Sequence, residues 1–303
     1  MIEKIDCLGP GIMPLDLLFS VERYPEAGSK IDGLGLCIQG GGPVPNALIG
    51  LRRLGYRTAL ITAAAADLIG QMGMRALADE GVDTRFIIRR RGSSDTAVGL
   101  VVRGSGQRTM VLNRTIGVRP RDLTLSRYPH PRIVHLDGRD LAACIRLAKW
   151  GRRLGAAISF DIGSMRNDVS AIFPLVDHLV VADSFALPFT GTRTAKQAIE
   201  RLRRLCPGVV VITEGVRGSI GYESGRFVSQ KAFKVRNVDS TGAGDAFHAG
   251  YLFGLLCKLD LRCRLEYGAA AAALSCTRMG ARAGIPTRSQ LKRFFSKGQR
   301  RYA

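Results

Sequence analysis

From residue 130 onward, short apolar runs alternate with amphipathic stretches, which confines the chain to a parallel sheet with helices packed on its faces. Ile133-Val134-His135-Leu136, Ala157-Ile158-Ser159-Phe160, Leu179-Val180-Val181 and Val209-Val210-Val211-Ile212 read as strands. They show little polar alternation, as expected when both faces are covered. After the first, Leu141, Ile145 and Ala148 fall at helical spacing, and Leu154-Gly155 offers a glycine stop. Thr194 and Gln197 fit a capping box ahead of one helical stripe made by Ile199, Leu202 and Leu205.

The first third is organised differently. Strand-like pieces punctuated by Gly and Pro lie between Gly9 and Gln39, and 96–102 and 109–112 form a second pair joined by a hairpin connection, 103–108. Helices are expected at 45–54 and 67–79. These pieces predict a small sheet projecting from the main body as a lid, built from segments 11–39 and 95–114. No repeat or linker divides the 303 residues, so a single domain, 1–303, is expected.

Composition removes several function classes. No apolar run approaches the roughly 20 residues of a membrane span, the longest candidate being 269–274. Acids near the N-terminus are unlike a secretion signal. Seven scattered cysteines never form Cys-x-x-Cys, which suits a reducing cytoplasm rather than a disulfide framework or thiolate zinc site. The net charge of +20 raises the question of a nucleic-acid partner. Arg outnumbers Lys 36 to 9, but the arginines are spread from Arg23 to Arg301 without interleaved aromatics. A solvated surface is the expectation, with no membrane or nucleic-acid partner. The tail 297–301 reads as a frayed end.

The sharpest chemical feature is Asp239-Ser240-Thr241-Gly242-Ala243-Gly244-Asp245, followed by an apolar helix-like run, 246–256. Two glycines around a small residue at a helix mouth let backbone N–H groups converge, and the helix N-terminus adds partial positive charge. Asp245 in the first turn would reach a hydroxyl beside the cradled anion. A positioned base next to charge stabilisation is what phosphoryl transfer requires. No Gly-x-x-x-x-Gly-Lys-Ser/Thr motif occurs, so a P-loop enzyme is not indicated. His248, in the helix after Asp245, reads as a packing residue.

This string resembles the C-terminal signature of the ribokinase (PfkB) family of carbohydrate and nucleoside kinases. Gly40-Gly41-Gly42-Pro43-Val44-Pro45-Asn46, continuing to Gly55, is similar to the family's N-terminal signature, and the likeness covers nearly the whole chain. It implies an α/β fold, a ribokinase-like doubly wound, mostly parallel sheet flanked by helices with a small β-sheet lid. It also implies an ATP-dependent kinase acting on a sugar hydroxyl. Position by position, Asp245 corresponds to the catalytic base, and Gly242, Ala243 and Gly244 to the anion hole. Asp16, Gly41, Gly42 and Asn46 correspond to hydroxyl-binding groups. Thr213-Glu214-Gly215-Val216-Arg217-Gly218 resembles the nucleotide loop, so Thr213, Gly215, Gly218, Gly242 and Gly244 are the expected ATP contacts. The family's Asn-x-x-Glu motif is replaced by Ala182-Asp183-Ser184-Phe185, leaving Asp183 as the candidate for organising Mg2+. Family analogy also implies a homodimer through the lid and leaves a monovalent-cation requirement open.

Two further positions bear on substrate. Asn113 closes the lid hairpin, and Arg139 follows a strand end; together they would recognise an anionic end of a sugar. The stretch 273–286 and the Gly40 to Pro43 variant look most like the branch containing sulfofructose kinases, which implies 6-deoxy-6-sulfofructose. A nucleoside kinase of the same family, or a noncatalytic basic binding or regulatory protein retaining the fold, are the alternatives.

Overall fold

The computed structural model describes residues 3–105, 107–165 and 168–296. The chain enters on β1 (Lys4–Pro10), β2 (Leu15–Val21) and β3 (Gly35–Gly40), then runs through α1 (Pro43–Arg53), β4 (Thr58–Ala65), α2 (Leu68–Asp79) and β5 (Ile87–Arg90). β6 (Thr96–Val102) and β7 (Arg108–Asn113) form the hairpin. There follow β8 (His130–Leu136), α3 (Leu141–Arg153), β9 (Ala157–Ile162), β10 (His178–Ala182), α4 (Asp183–Thr190), α5 (Ala195–Leu202) and β11 (Val209–Thr213). A second hairpin, β12 (Ser219–Glu223) and β13 (Arg226–Gln230), precedes α6 (Ala243–Leu256), α7 (Leu261–Ser275) and α8 (Arg288–Ser296).

The large sheet has the order β13-β12-β11-β10-β9-β8-β1-β4-β5. Its pairs from β11 to β5 are parallel, and the β12–β13 hairpin adds an antiparallel edge. Neighbouring residues of one strand enter opposite cores: Leu179 and Val181 pack with α3, α4 and α5, and Val180 with α1, α6 and α7. That two-sided burial is why these strands read as unbroken apolar runs.

Some boundaries differ from expectation. α5 ends at Leu202 and Leu205 is exposed, so the expected stripe stops one turn early. β9 runs on to Ile162. Strand β4, Thr-Ala-Leu-Ile-Thr-Ala-Ala-Ala, is buried throughout yet carries no strong strand signal, because alanine favours helices. The tail 297–301 lies outside the described residues.

The small sheet has the order β3-β2-β6-β7. Its register aligns Ile38, Leu17, Val98 and Val111 in one row and Leu36, Phe19 and Leu100 in the next, all on one face. The row flanking the first, Gln39, Asp16, Ala97 and Leu112, lies on the opposite face.

Helices α1 and α6 come together through Gly50, where a Cβ would strike the Ala249 side chain. One turn earlier on each helix stand Asn46 and Asp245, their side chains 2.7 Å apart. α6 is buried nearly all round, so it cannot retreat from an intruding atom. Gly50→Leu is therefore expected to cost on the order of 1–3 kcal/mol in denaturant unfolding and to reduce turnover by separating Asn46 from Asp245. Unchanged stability would show that the two helices do not depend on this contact.

Candidate active site

The carboxyl ends of the parallel strands, the small sheet and the α6 N-terminus enclose a cavity of about 570 Å³. Its lining includes Asp16, Gly42 and Asn46 from the N-terminal third, Arg139 after β8, Asp183 after β10, Thr213 at the end of β11 and Gly215 beyond it, and Gly242, Gly244 and Asp245 at α6. A second, largely apolar pocket of about 300 Å³ shares Thr213, Gly215 and Gly244 with it and adds Gly218, Phe233, Val235, Ala243, Phe247 and Ala272. The residues expected to bind nucleotide thus lie where a polar cavity adjoins an apolar slot.

The helix mouth is built by Asp239. Its Oδ1 accepts from the Thr241 N–H and hydroxyl at 2.8 and 2.6 Å, and its Oδ2 from the Gly280 N–H at 2.8 Å. These bonds fasten the loop before α6 to the loop after α7. Gly242 then adopts φ 74°, with Ala281 packed where a side chain would project. The Ala243 N–H donates to the Ser240 carbonyl at 3.2 Å. Ala243 therefore shapes the turn, while Gly244, in the first turn where helix N–H groups lack intrahelical acceptors, lines the cavity.

Asp245 is half-buried in the cavity wall, and desolvation together with the Asp161 carboxylate raises its pKa; the Asn46 hydrogen bond, Arg108 and His248 oppose that rise. Asp16 is pushed up to about 7, chiefly by burial, with Arg282 and Arg108 pulling it down and Asp245 adding to the rise. Gly41 does not line the cavity; a Cβ there would collide with the Asp16 carboxylate, so glycine lets the chain pass over this acid. Gly42, at φ 97°, turns the chain into α1.

Asn113 stands apart from the other expected residues. Alternation along β7 puts Arg108, Met110 and Leu112 on the cavity side, whereas Asn113 shares the parity of Val111 and is exposed. Asp183 reaches the cavity but pairs with Arg217 at 2.7 Å. Asp183 and Asp161 place carboxylate oxygens at adjacent strand ends, donors of the kind a hard cation prefers.

Arg108, Asp137 and Asp161 line the cavity without having been singled out from sequence. The two acids carried a readable signal, since each ends an apolar strand where doubly wound sheets present ligand-binding groups. Arg108 could be found only through strand parity. His248 does not line the cavity; its Nε2 lies 3.1 Å from Asp161 Oδ1, and its ring packs at 5.1 Å from that of His135. Burial pushes His135 down to about 3, leaving it neutral.

The sequence profile of the pfkB family carbohydrate kinase matches residues 11–288. The chain is 26% identical to a ribokinase of Haemophilus influenzae, over 94% of this chain and 96% of that protein. It is 28% identical to a nucleoside kinase of Methanothermobacter thermautotrophicus, over 97% of each. It is also 28% identical to an ATP-dependent ribose-1-phosphate kinase of Halopiger xanaduensis, over 95% and 97%. An E. coli structure solved with ATP and Mg2+ superimposes with a TM-score of 0.85 at 20% identity, covering 97% of this chain and 99% of that one. Arabidopsis thaliana ribokinase complexed with ribose and ATP gives 0.78 at 23% identity, covering 95% and 98%.

The Asp16 shift has a measurable consequence. Its folded pKa exceeds the ordinary 3.8, so the carboxyl is protonated below about pH 7 and ionised above. An ionised carboxylate accepts hydrogen bonds from two hydroxyls, whereas the protonated group offers less acceptor capacity. The KM for a hydroxyl acceptor is expected to fall as pH rises through about 7. Asp16→Asn should remove that dependence, and a flat KM in the unaltered protein would rule out Asp16 as the titrating contact.

Proposed function

This chain belongs to the pfkB family of carbohydrate kinases, and from that premise we propose that it transfers the γ-phosphoryl group of ATP to a hydroxyl of a sugar or anionic sugar derivative. Its fold is ribokinase-like. The observation carrying the proposal is Asp245, held by Asn46 at the mouth of α6 and facing a cavity that adjoins an apolar slot.

In this reading the adenine occupies the apolar slot, with Thr213, Gly215 and Gly218 along the nucleotide, and the phosphates extend toward Gly242 and Gly244. Asp16, Asn46 and Gly42 hold the acceptor hydroxyls. Asp245 takes the hydroxyl proton as the acceptor oxygen bonds to the γ-phosphorus and the bond to the β–γ bridging oxygen breaks, releasing ADP. Backbone N–H groups at the helix mouth stabilise charge on the migrating group. Asp161 and Asp183 are hard oxygen donors suited to Mg2+, which when bound would neutralise phosphate charge. The small sheet acts as the lid of one catalytic unit and excludes competing water.

Arg139 and Arg108 are cations on the acceptor side of the cavity and support an anionic substrate. That covers the sulfonate of 6-deoxy-6-sulfofructose, although the exposed Asn113 lends it no support. The 28% identity to a nucleoside kinase keeps nucleosides as the second acceptor class. A noncatalytic basic protein would have no use for a base hydrogen-bonded beside an anion cradle.

The outward face of the small sheet, with Leu36, Ile38, Val98 and Val111 exposed, is apolar enough to accept a second copy of the chain. Among the described residues no helix is long and apolar enough to cross a membrane.

ADP release measured across ribose, fructose derivatives with and without phosphate or sulfonate, ketodeoxygluconate, adenosine and inosine should single out a sugar. Asp245→Asn should lower that turnover by about 10²-fold or more without unfolding the protein. Turnover confined to nucleosides would replace the sugar reading, and near-normal turnover in the variant would remove Asp245 as base. Ile38→Asp with Val111→Asp should convert a dimer to a monomer in sedimentation; an unaltered protein that is already monomeric would refute the lid interface.

A further inference from the structure

Arg282 is an isolated cation in the interior. Only 7% of its surface is exposed, and among the described residues no carboxylate lies within salt-bridge distance of it. Burying a guanidinium without a contacting counter-ion is costly, so its contacts merit a functional account. Burial lowers its pKa to about 10, with Asp16, Glu80 and Asp245 offsetting that fall from a distance. The side chain therefore stays protonated at neutral pH.

Its Nε donates to Asn46 Oδ1 at 2.9 Å and its Nη2 to the Gly41 carbonyl at 3.1 Å. The guanidinium occupies the space where a Cβ at residue 40 would project, which accounts for Gly40 in the glycine run. Asn46 Nδ2 in turn donates to Asp245 Oδ2 at 2.7 Å. The direction of this chain is forced from one end. A guanidinium only donates, so the Asn46 atom facing Nε must be the oxygen. The amide nitrogen then has to face Asp245, and the Asp245 oxygen it meets must be an acceptor.

Resting on the kinase reading, in which Asp245 is the base, we propose that Arg282 is a positioning residue: it locks the Asn46 amide so that Asp245 receives a hydrogen bond and is kept as a proton acceptor. Without Arg282 the amide is free to turn over and present Oδ1 to Asp245. That orientation stabilises the protonated carboxyl, which cannot take a proton from the acceptor hydroxyl. Arg282 acts through Asn46 and does not line the cavity.

Two experiments test this. Arg282→Met should lower kcat by about tenfold or more while leaving the KM for ATP within about twofold, and added guanidinium should restore part of the loss. In an Asn46→Ala background the same substitution should change kcat by less than about twofold, because the link is already cut. Equal losses in both backgrounds, or a rise in the KM for ATP that matches the fall in kcat, would mean Arg282 serves folding alone. Neutron diffraction on the unaltered protein needs neither activity nor a variant that folds. Two deuterons are expected on the Asn46 atom facing Asp245 and none on Asp245 Oδ2; a deuteron on that carboxyl oxygen would overturn the proposal. If Asp245→Asn keeps its turnover, the kinase reading fails at its base, while the neutron result still decides how the amide is held.

Discussion

The site depends on two helices, far apart in sequence, being kept one hydrogen bond apart at their N-terminal ends. Asn46 and Asp245 are separated by 199 residues of chain and by 2.7 Å in space. Nothing local could hold that spacing. It follows from the packing of α1 on α6 through Gly50, from the burial of α6 among α1, α7 and the sheet, and from the Asp239 bonds that tie the loop before α6 to the loop after α7. Rigidity in the core is thereby converted into precision at the helix mouth, where a displacement of about 1 Å is enough to cost catalysis heavily.

The electrostatics of the cavity follow from the same arrangement. Asp16, Asp137, Asp161, Asp183 and Asp245 line it, against Arg108 and Arg139. A surplus of carboxylates is an unfavourable place for nucleotide phosphates until positive charge is added. The helix N-terminus, the two arginines and a cation carried with the nucleotide are the available sources. The surplus also raises the pKa of Asp16 and Asp245, because each acid is felt by another as well as by burial. A chain carrying +20 overall attracts anions to its surface, but that field is screened over roughly 8 Å at physiological salt, so it favours arrival rather than chemistry.

The sequence was legible where one residue type has one physical use. The glycine-flanked helix mouth and the two-sided strands β8 to β11 announced themselves through spacing and composition, and the glycine run before α1 through its likeness to a family signature. Strand β4 did not, because its alanines favour helices and carry no strand preference. Arg282 was hidden among 36 arginines, since burial cannot be read from composition in so basic a chain. Arg108 and Asn113 show how finely the outcome turns on register. They lie on one six-residue strand, yet parity sends the first into the cavity and the second out of it.

That parity constrains the small sheet as a whole. The same four strands contribute Asp16, Ala97, Arg108 and Leu112 to the cavity face, and Leu17, Phe19, Leu36, Ile38, Val98 and Val111 to the outer face. A slip of one residue in the pairing of β2 or β7 would exchange the faces of that strand, putting apolar side chains into the cavity and Asp16 or Arg108 outside. The sheet is therefore specified from both sides, provided that its outer face is covered. Covering that face with a second copy would fix the register that places Asp16 and Arg108, so that assembly and acceptor binding would be two consequences of one alternation.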